Sequence, residues 1–178
     1  AHRWWGQALF RQGDYQAAEV QLDQAMSLAQ AVKAREVEAD SLGILGGLRW
    51  GQGDYAGVTP YLERALSIYR ESGDRKRQAG MLNNLGIVAV EQGAYSEASI
   101  RYEEALSIMQ EIDDRHGVGV VLGNLGNTYL YVGYYAQALK HYEQALDELA
   151  EADDRTCEAN TLGNLGLVHH RLGEDETA

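Results

Sequence analysis

A glycine recurs every 40 residues along this 178-residue chain, and a second follows each one seven places later. The first series is Gly6, Gly46, Gly86, Gly126 and Gly166; the second is Gly13, Gly53, Gly93, Gly133 and Gly173. The same frame returns around them, as LGILG at 42–46, LNNLG at 82–86, and LGNLG at 122–126 and 162–166. Past the second glycine stand Tyr15, Tyr55, Tyr95 and Tyr135, then Ala18, Val58, Ala98, Ala138 and Ala178. Leu22, Leu62, Tyr102 and Tyr142 come next, followed by Ala25, Ala65, Ala105 and Ala145, and Arg35, Arg75, Arg115 and Arg155 lead into the next unit. No insertion or deletion breaks the register. A chain of this kind must be an array of one supersecondary unit stacked on itself. The units run approximately 1–33, 34–73, 74–113, 114–153 and 154–178, the last incomplete. They form a single array, expected to be a segment of a longer protein.

Within a unit the period is helical. Ala18, Leu22, Ala25, Met26 and Ala29 fall at spacings of three and four, as do Ala98, Tyr102, Ala105, Leu106 and Met109, which makes one apolar helix face. The other helix of each unit carries positions such as Leu82, Leu85 and Val88 and ends at a glycine able to take the left-handed cap conformation, as in EQG at 91–93 and YVG at 131–133. Asp74, Asp114 and Asp154 precede helix starts, where a carboxylate caps free amides and suits the dipole. Pro60 falls early in its helix, so that helix is expected to start late or bend.

HGVGVVLGNLGN, residues 116–127, looks at first like a phosphate-binding loop. The dinucleotide fingerprint needs G-x-G-x-x-G, and Leu122 stands where the third glycine belongs. The repeat supplies a different reason for the glycines. A helical glycine costs about 1 kcal/mol relative to alanine, and Gly126 and its counterparts offset this by making room for a large residue of the neighbouring helix, such as Tyr102 or Tyr142. Gly117 and Gly119 are expected to sit near the helix start, where they cost less.

A net charge of -12 argues against a nucleic-acid or anionic-membrane partner, because phosphate contacts need clustered Lys and Arg. Apolar runs fall short of the roughly 20 residues a membrane span needs. The single cysteine, Cys157, cannot form an internal disulfide, which points to a reducing compartment and a cytoplasmic location.

Leu-Gly in a first helix, Gly-x-Tyr at the turn, and Ala, an aromatic or Leu, and Ala in a second helix resemble the tetratricopeptide repeat. LGNLGNTYLYVGYYAQALKHYEQAL, residues 122–146, matches at nearly every defining position, and the resemblance covers the whole chain. The 40-residue unit is similar to those of kinesin light chains and of large bacterial signal-transduction ATPases. Trp4 and Trp5 depart from the pattern in the first unit, as Val58 does in the second. The resemblance implies an all-α, right-handed superhelical solenoid of antiparallel helix pairs, about four and a half repeats long.

It also implies that the first helices line a concave groove. Carried onto this chain, the groove positions include Asp40, Gly43, Gly47, Trp50, Asn83, Ile87, Val90, Asn127, Leu130, Tyr131, Asn160, Leu167, His170 and Arg171, with Arg3, Gln7, Phe10 and Arg11 in the first unit. Such a groove is apolar and small-sided, suited to an extended peptide or amphipathic helix, with Trp50, Leu130 and Tyr131 as anchors and Asn83, Asn127 and Asn160 as positioning groups. The carboxylate clamp of chaperone-binding relatives is not expected, because Gly43, Gly123 and Gly163 stand where a lysine is wanted.

No catalytic constellation is found. His169 and His170 point about 100° apart on a helix and do not share a metal; Cys157 has no positioned His in the sequence frame and reads as a small helix residue, and Ser67 and Ser107 recur as repeat positions. The chain is therefore expected to be a non-catalytic interaction scaffold with a protein or peptide partner and no cofactor or metal. The alternative is a regulatory or sensor arm of a multidomain bacterial signalling protein, acting within its own chain or by self-association through uncapped ends.

Overall fold

The computed structural model describes residues 15–177, and side chains over 16–173. The unit-one positions Arg3, Gln7, Phe10 and Arg11, and the Gly6–Gly13 pair, lie outside the described residues. Over the described residues the chain forms α1 (Tyr15–Ala31), α2 (Arg35–Gly51), α3 (Tyr55–Ser72), α4 (Arg75–Glu91), α5 (Tyr95–Glu111), α6 (Arg115–Val132), α7 (Tyr135–Glu151) and α8 (Arg155–Thr177), without a strand. The chain divides into two compact parts, residues 1–92 and 93–178. In the first, α1 packs on α2, α2 on α3 and α3 on α4; in the second, α5 packs on α6, α6 on α7 and α7 on α8.

Turn chemistry accounts for the boundaries. Gly53, Gly93 and Gly133, between the two helices of a repeat, take φ of 76°, 72° and 85°, the left-handed conformation glycine adopts without a Cβ penalty. After Gly53 and Gly133 the chain closes a Schellman-type turn: Asp54 N–H donates to Arg49 O (2.9 Å) and Tyr134 N–H to Tyr129 O (2.8 Å). The turns between repeats use the same conformation with other residues, Lys33, Asp113 and Asp153 at φ 54–56° beside Gly73 at 73°. The expected caps form. Asp74 accepts from Arg77 N–H and Asp114 from Gly117 N–H, both at 3.0 Å, and Asp154 from Cys157 N–H at 3.1 Å; Asp54 caps α3 likewise through Gly57 N–H at 2.9 Å.

Two boundaries differ from expectation. Pro60 neither delays α3 nor moves its start, because α3 begins in register at Tyr55. Pro60 and Ala56, whose carbonyl loses its donor, are both exposed, so water can replace the missing bond. At Gly173 the helix continues to Thr177 instead of turning. The residue two places on is Asp175, where the earlier repeats have Tyr55, Tyr95 and Tyr135.

The predicted faces form the core. Ala18, Leu22, Ala25 and Ala29, like Ala98, Tyr102, Ala105 and Met109, are buried. In the first part Ala39, Leu42, Ala65, Ile68 and Tyr69 make one cluster, and Ala18, Leu22, Leu45 and Leu48 another, with Met26 and Tyr61 packed against both. In the second part Ala138, Tyr142 and Val168 join α7 to α8.

Glycines of the frame do what the repeat predicts, to differing degrees. A Cβ on Gly126 would lie 2.6 Å from the Tyr142 ring, and one on Gly46 3.3 Å from Leu62 Cδ2. A Cβ on Gly166 would meet nothing within 4 Å. Gly117 and Gly119 correct the expectation that they merely sit where glycine costs less. A Cβ there would come 2.6 Å from Met109 Sδ and 2.6 Å from Leu149 Cγ, so both admit side chains of neighbouring helices.

Candidate functional site

Each part of the chain carries a cleft on its first-helix side. In the first part, α2 presents Gly43, Gly47 and Trp50 one helical turn apart, and Ile87 and Val88 of α4 face them across a cleft of about 260 Å³ floored by Val58 and Leu62 of α3. The glycines make this space; a Cβ on Gly43 would meet nothing within 4 Å. Trp50 is held edge-on against Tyr55, their rings 4.8 Å apart. Apolar walls around one half-buried indole suit an apolar side chain.

The second cleft, about 200 Å³, lies between α6 and α8 and has different chemistry. Asn124 and Asn127 come from α6, Asn160 and Asn164 from α8, with Gly119, Gly123 and Cys157 beside them. Asn127 Oδ1 accepts from Tyr142 O–H at 2.7 Å and from Asn164 Nδ2 at 2.9 Å. These two donors tie α6, α7 and α8 together and fix the Asn127 amide with its oxygen toward the core. Burial pushes the Tyr142 hydroxyl well above the usual phenol range, with Tyr131 adding to it, so it stays a donor at any ordinary pH. Four carboxamides thus line one cleft, and each such group carries both a donor and an acceptor.

The sequence-predicted positions separate accordingly. Gly43, Gly47, Trp50 and Ile87 meet in the first cleft, Asn127 and Asn160 in the second. Asn84 rather than Asn83 lines the first; Asn83 and Val90 sit half-buried elsewhere on α4. Asp40 is engaged in the fold: Tyr69 O–H donates to it at 2.8 Å, and the Arg77 guanidinium lies 3.8 Å away and over the Tyr69 ring. Burial and then the Asp40 bond push the Tyr69 hydroxyl up. Leu130 packs on the Ala138, Tyr142 and Val168 cluster. Tyr131 is exposed and stacks on Tyr95 at 6.2 Å, and Leu167, His170 and Arg171 are exposed along α8.

Sequence reading passed over Glu38. Its carboxylate is 2% exposed yet charged, bonded by Gln30 of α1 (3.1 Å), Arg35 of α2 (3.1 Å) and Arg64 of α3 (2.6 Å). Burial raises its pKa, but the donors from Gln30, Arg64 and Arg35 outweigh burial and hold the carboxyl below its ordinary value. The only signal in the sequence was a carboxylate on the buried side of a helix opposite a basic residue. Cys157 donates its thiol to Asp154, which, with burial, pushes the thiol up and away from the reactive thiolate. His116 Nδ1 lies 3.0 Å from Asp154 Oδ2. Among the described residues no group of three His, Cys, Asp or Glu side chains is placed to hold a metal, and no helix is long and apolar enough to cross a membrane.

A family model described as tetratricopeptide repeat matches residues 1–71, 59–111, 77–147 and 118–178. No curated protein matches the sequence. Among solved structures the chain is similar to BtubC (BKLC) from P. vanneervenii, with a TM-score of 0.84 and 24% identity over 94% of this chain and 70% of that one. It is similar to a signal transduction ATPase with numerous domains and a tetratricopeptide repeat sensor from Pyrococcus horikoshii, with a TM-score of 0.87, 14% identity, and coverage of 94% of this chain and 26% of that one. A Rap protein complexed with competence and sporulation factor matches at a TM-score of 0.79 and 15% identity, over 99% of this chain and 50% of that one.

Proposed function

From the premise that this chain belongs to the tetratricopeptide repeat family, we propose that it is a protein-interaction scaffold whose first-helix clefts bind extended peptide. The asparagine-lined cleft between α6 and α8 carries the reading. Asn127 is locked by Tyr142 and Asn164, so its Nδ2 is preset to donate to a bound backbone, while Asn160 is exposed and free to add a donor and an acceptor. The first cleft adds a pocket for one apolar side chain beside Trp50. Cys157 lines the second cleft, but its bond to Asp154 and burial hold the thiol in its protonated, unreactive form, and so the reading is non-catalytic. The likeness to a Rap protein solved with a bound factor supports a peptide ligand.

A library of extended peptides of roughly ten residues tests this. Binders selected on the wild-type chain should lose about tenfold or more in affinity against Asn160→Ala or against Trp50→Ala, both of which leave the helical circular dichroism unchanged. Binders indifferent to both substitutions would sink the reading. The likeness to a sensor-bearing signalling ATPase favours one variant of it, in which the ligand is sensed on behalf of other domains of a longer chain.

A further inference from the structure

Three turns that join the two helices of a repeat can be compared place for place. Gly51, Gln52 and Asp54 surround Gly53; Glu91, Gln92 and Ala94 surround Gly93; Tyr131, Val132 and Tyr134 surround Gly133. All of these residues are exposed, and the first two turns are followed by at least one whole further repeat, so the openness belongs to the turn itself. Of the three, the last alone puts large apolar side chains there, with Tyr131 63%, Val132 41% and Tyr134 54% exposed. Tyr131 is stacked on Tyr95, ring centroids 6.2 Å apart and planes 26° apart, which holds its ring in place with the outer face open to solvent. Asp54 caps α3, but Tyr134 at the same place gives α7 no side-chain cap. Packing and capping therefore leave that ring unexplained. None of Tyr131, Val132 and Tyr134 lines either cleft.

A cluster of exposed aromatic and aliphatic side chains marks a contact surface, and tyrosine supplies contact area with few rotors to freeze. Here the cluster sits on a turn, which limits what can dock. A turn offers no long groove for an amphipathic helix. Nor does this one offer an open edge for a strand, because the Gly133 N–H already donates to Leu130 O at 3.1 Å and the Tyr134 N–H to Tyr129 O at 2.8 Å. What remains is ring faces and phenol hydroxyls. A polyproline II segment needs no more, since its proline rings pack on aromatic faces and its carbonyls, unbonded within the segment, accept from hydroxyl donors. Charge narrows the partner further. Residues 93–178 hold 16 Asp and Glu against 5 Lys and Arg, a net of -11 out of the chain's -12. That field attracts a basic segment and repels both a second copy of this chain and an anionic membrane.

We propose that the exposed turn of Tyr131, Val132 and Tyr134 docks a proline-rich, arginine-bearing segment of a partner protein. Its prolines pack on the open faces of Tyr131 and Tyr134, its carbonyls accept from their hydroxyls, and its arginines answer the acidity of residues 93–178. The site lies outside the peptide clefts and stands or falls without them.

The probe is a fluorescent peptide of about ten residues, proline and leucine with arginine at each end, titrated by anisotropy into the whole chain. Saturable binding is expected, weakened tenfold or more by Tyr131→Ala and by Tyr134→Ala, whose exposed sites leave the helical circular dichroism unchanged. The same peptide with alanine for every proline keeps the charge and should bind at least tenfold more weakly. Glutamate in place of the arginines should weaken binding too. Absence of saturable binding, equal binding to both tyrosine variants, or equal binding of the alanine peptide overturns the proposal. Equal binding of the glutamate peptide overturns the part played by charge. A loss on Asn160→Ala as large as on Tyr134→Ala puts the peptide in the second cleft and overturns the separate site.

Discussion

Gly126 and Gly163 lie in the same helical frame, yet alanine at the two should act in opposite directions. A Cβ at Gly126 meets the Tyr142 ring at 2.6 Å, and Tyr142 cannot withdraw without breaking its bond to Asn127. Gly126→Ala is expected to lower stability by about 1–3 kcal/mol. At Gly163 nothing lies within 4 Å, and alanine there should raise stability by about 1 kcal/mol through helix propensity alone. Chemical denaturation of the two variants checks both signs. Asp113 makes the converse case. Its φ of 54° is left-handed, and Asp113→Gly should add about 1 kcal/mol by the same measurement. The periodic sequence showed which glycines belong to the frame. It could not show that Gly117 and Gly119 are also filled, because Met109 and Leu149 reach them from other helices.

At the level of helices, Glu38 ties α1, α2 and α3 together. Its carboxyl is held below the ordinary value near 4.5, so its contribution is complete above that pH and is lost as pH falls through the lower folded value. Glu38→Gln should cost roughly 1–3 kcal/mol at neutral pH, since it removes the charge facing two arginines, and should flatten the acid limb of a thermal-stability profile against pH. A variant that keeps the wild-type limb would show that other carboxylates set it. Pro60 offers a second test. With its start fixed by the Asp54 cap, α3 should gain about 1 kcal/mol or more in Pro60→Ala, read as a higher midpoint in thermal melts. Most helix boundaries were legible because caps and turn glycines are local signals; the α3 start and the expected turn at Gly173 were not. Asp40 was not, since its role depends on Tyr69 and Arg77, which α3 and α4 bring to it.

Over the described residues, 40-residue periodicity made the fold readable, because successive units repeat the same buried face and, as far as Gly133, the same turn. The clefts were readable only in part. Helical register shows which side of a helix a residue takes, but neighbouring helices decide whether Asn83 or Asn84 reaches the first cleft and whether Leu130 faces outward or into the core. Side-chain amide resonances give the most direct test of the peptide-binding account, followed by NMR while the best library peptide is titrated in. The account predicts that the amides of Asn160 and Asn127 shift and saturate together with the peptide. Saturable binding that leaves both unmoved, and shifts only resonances of the second helices, would contradict it.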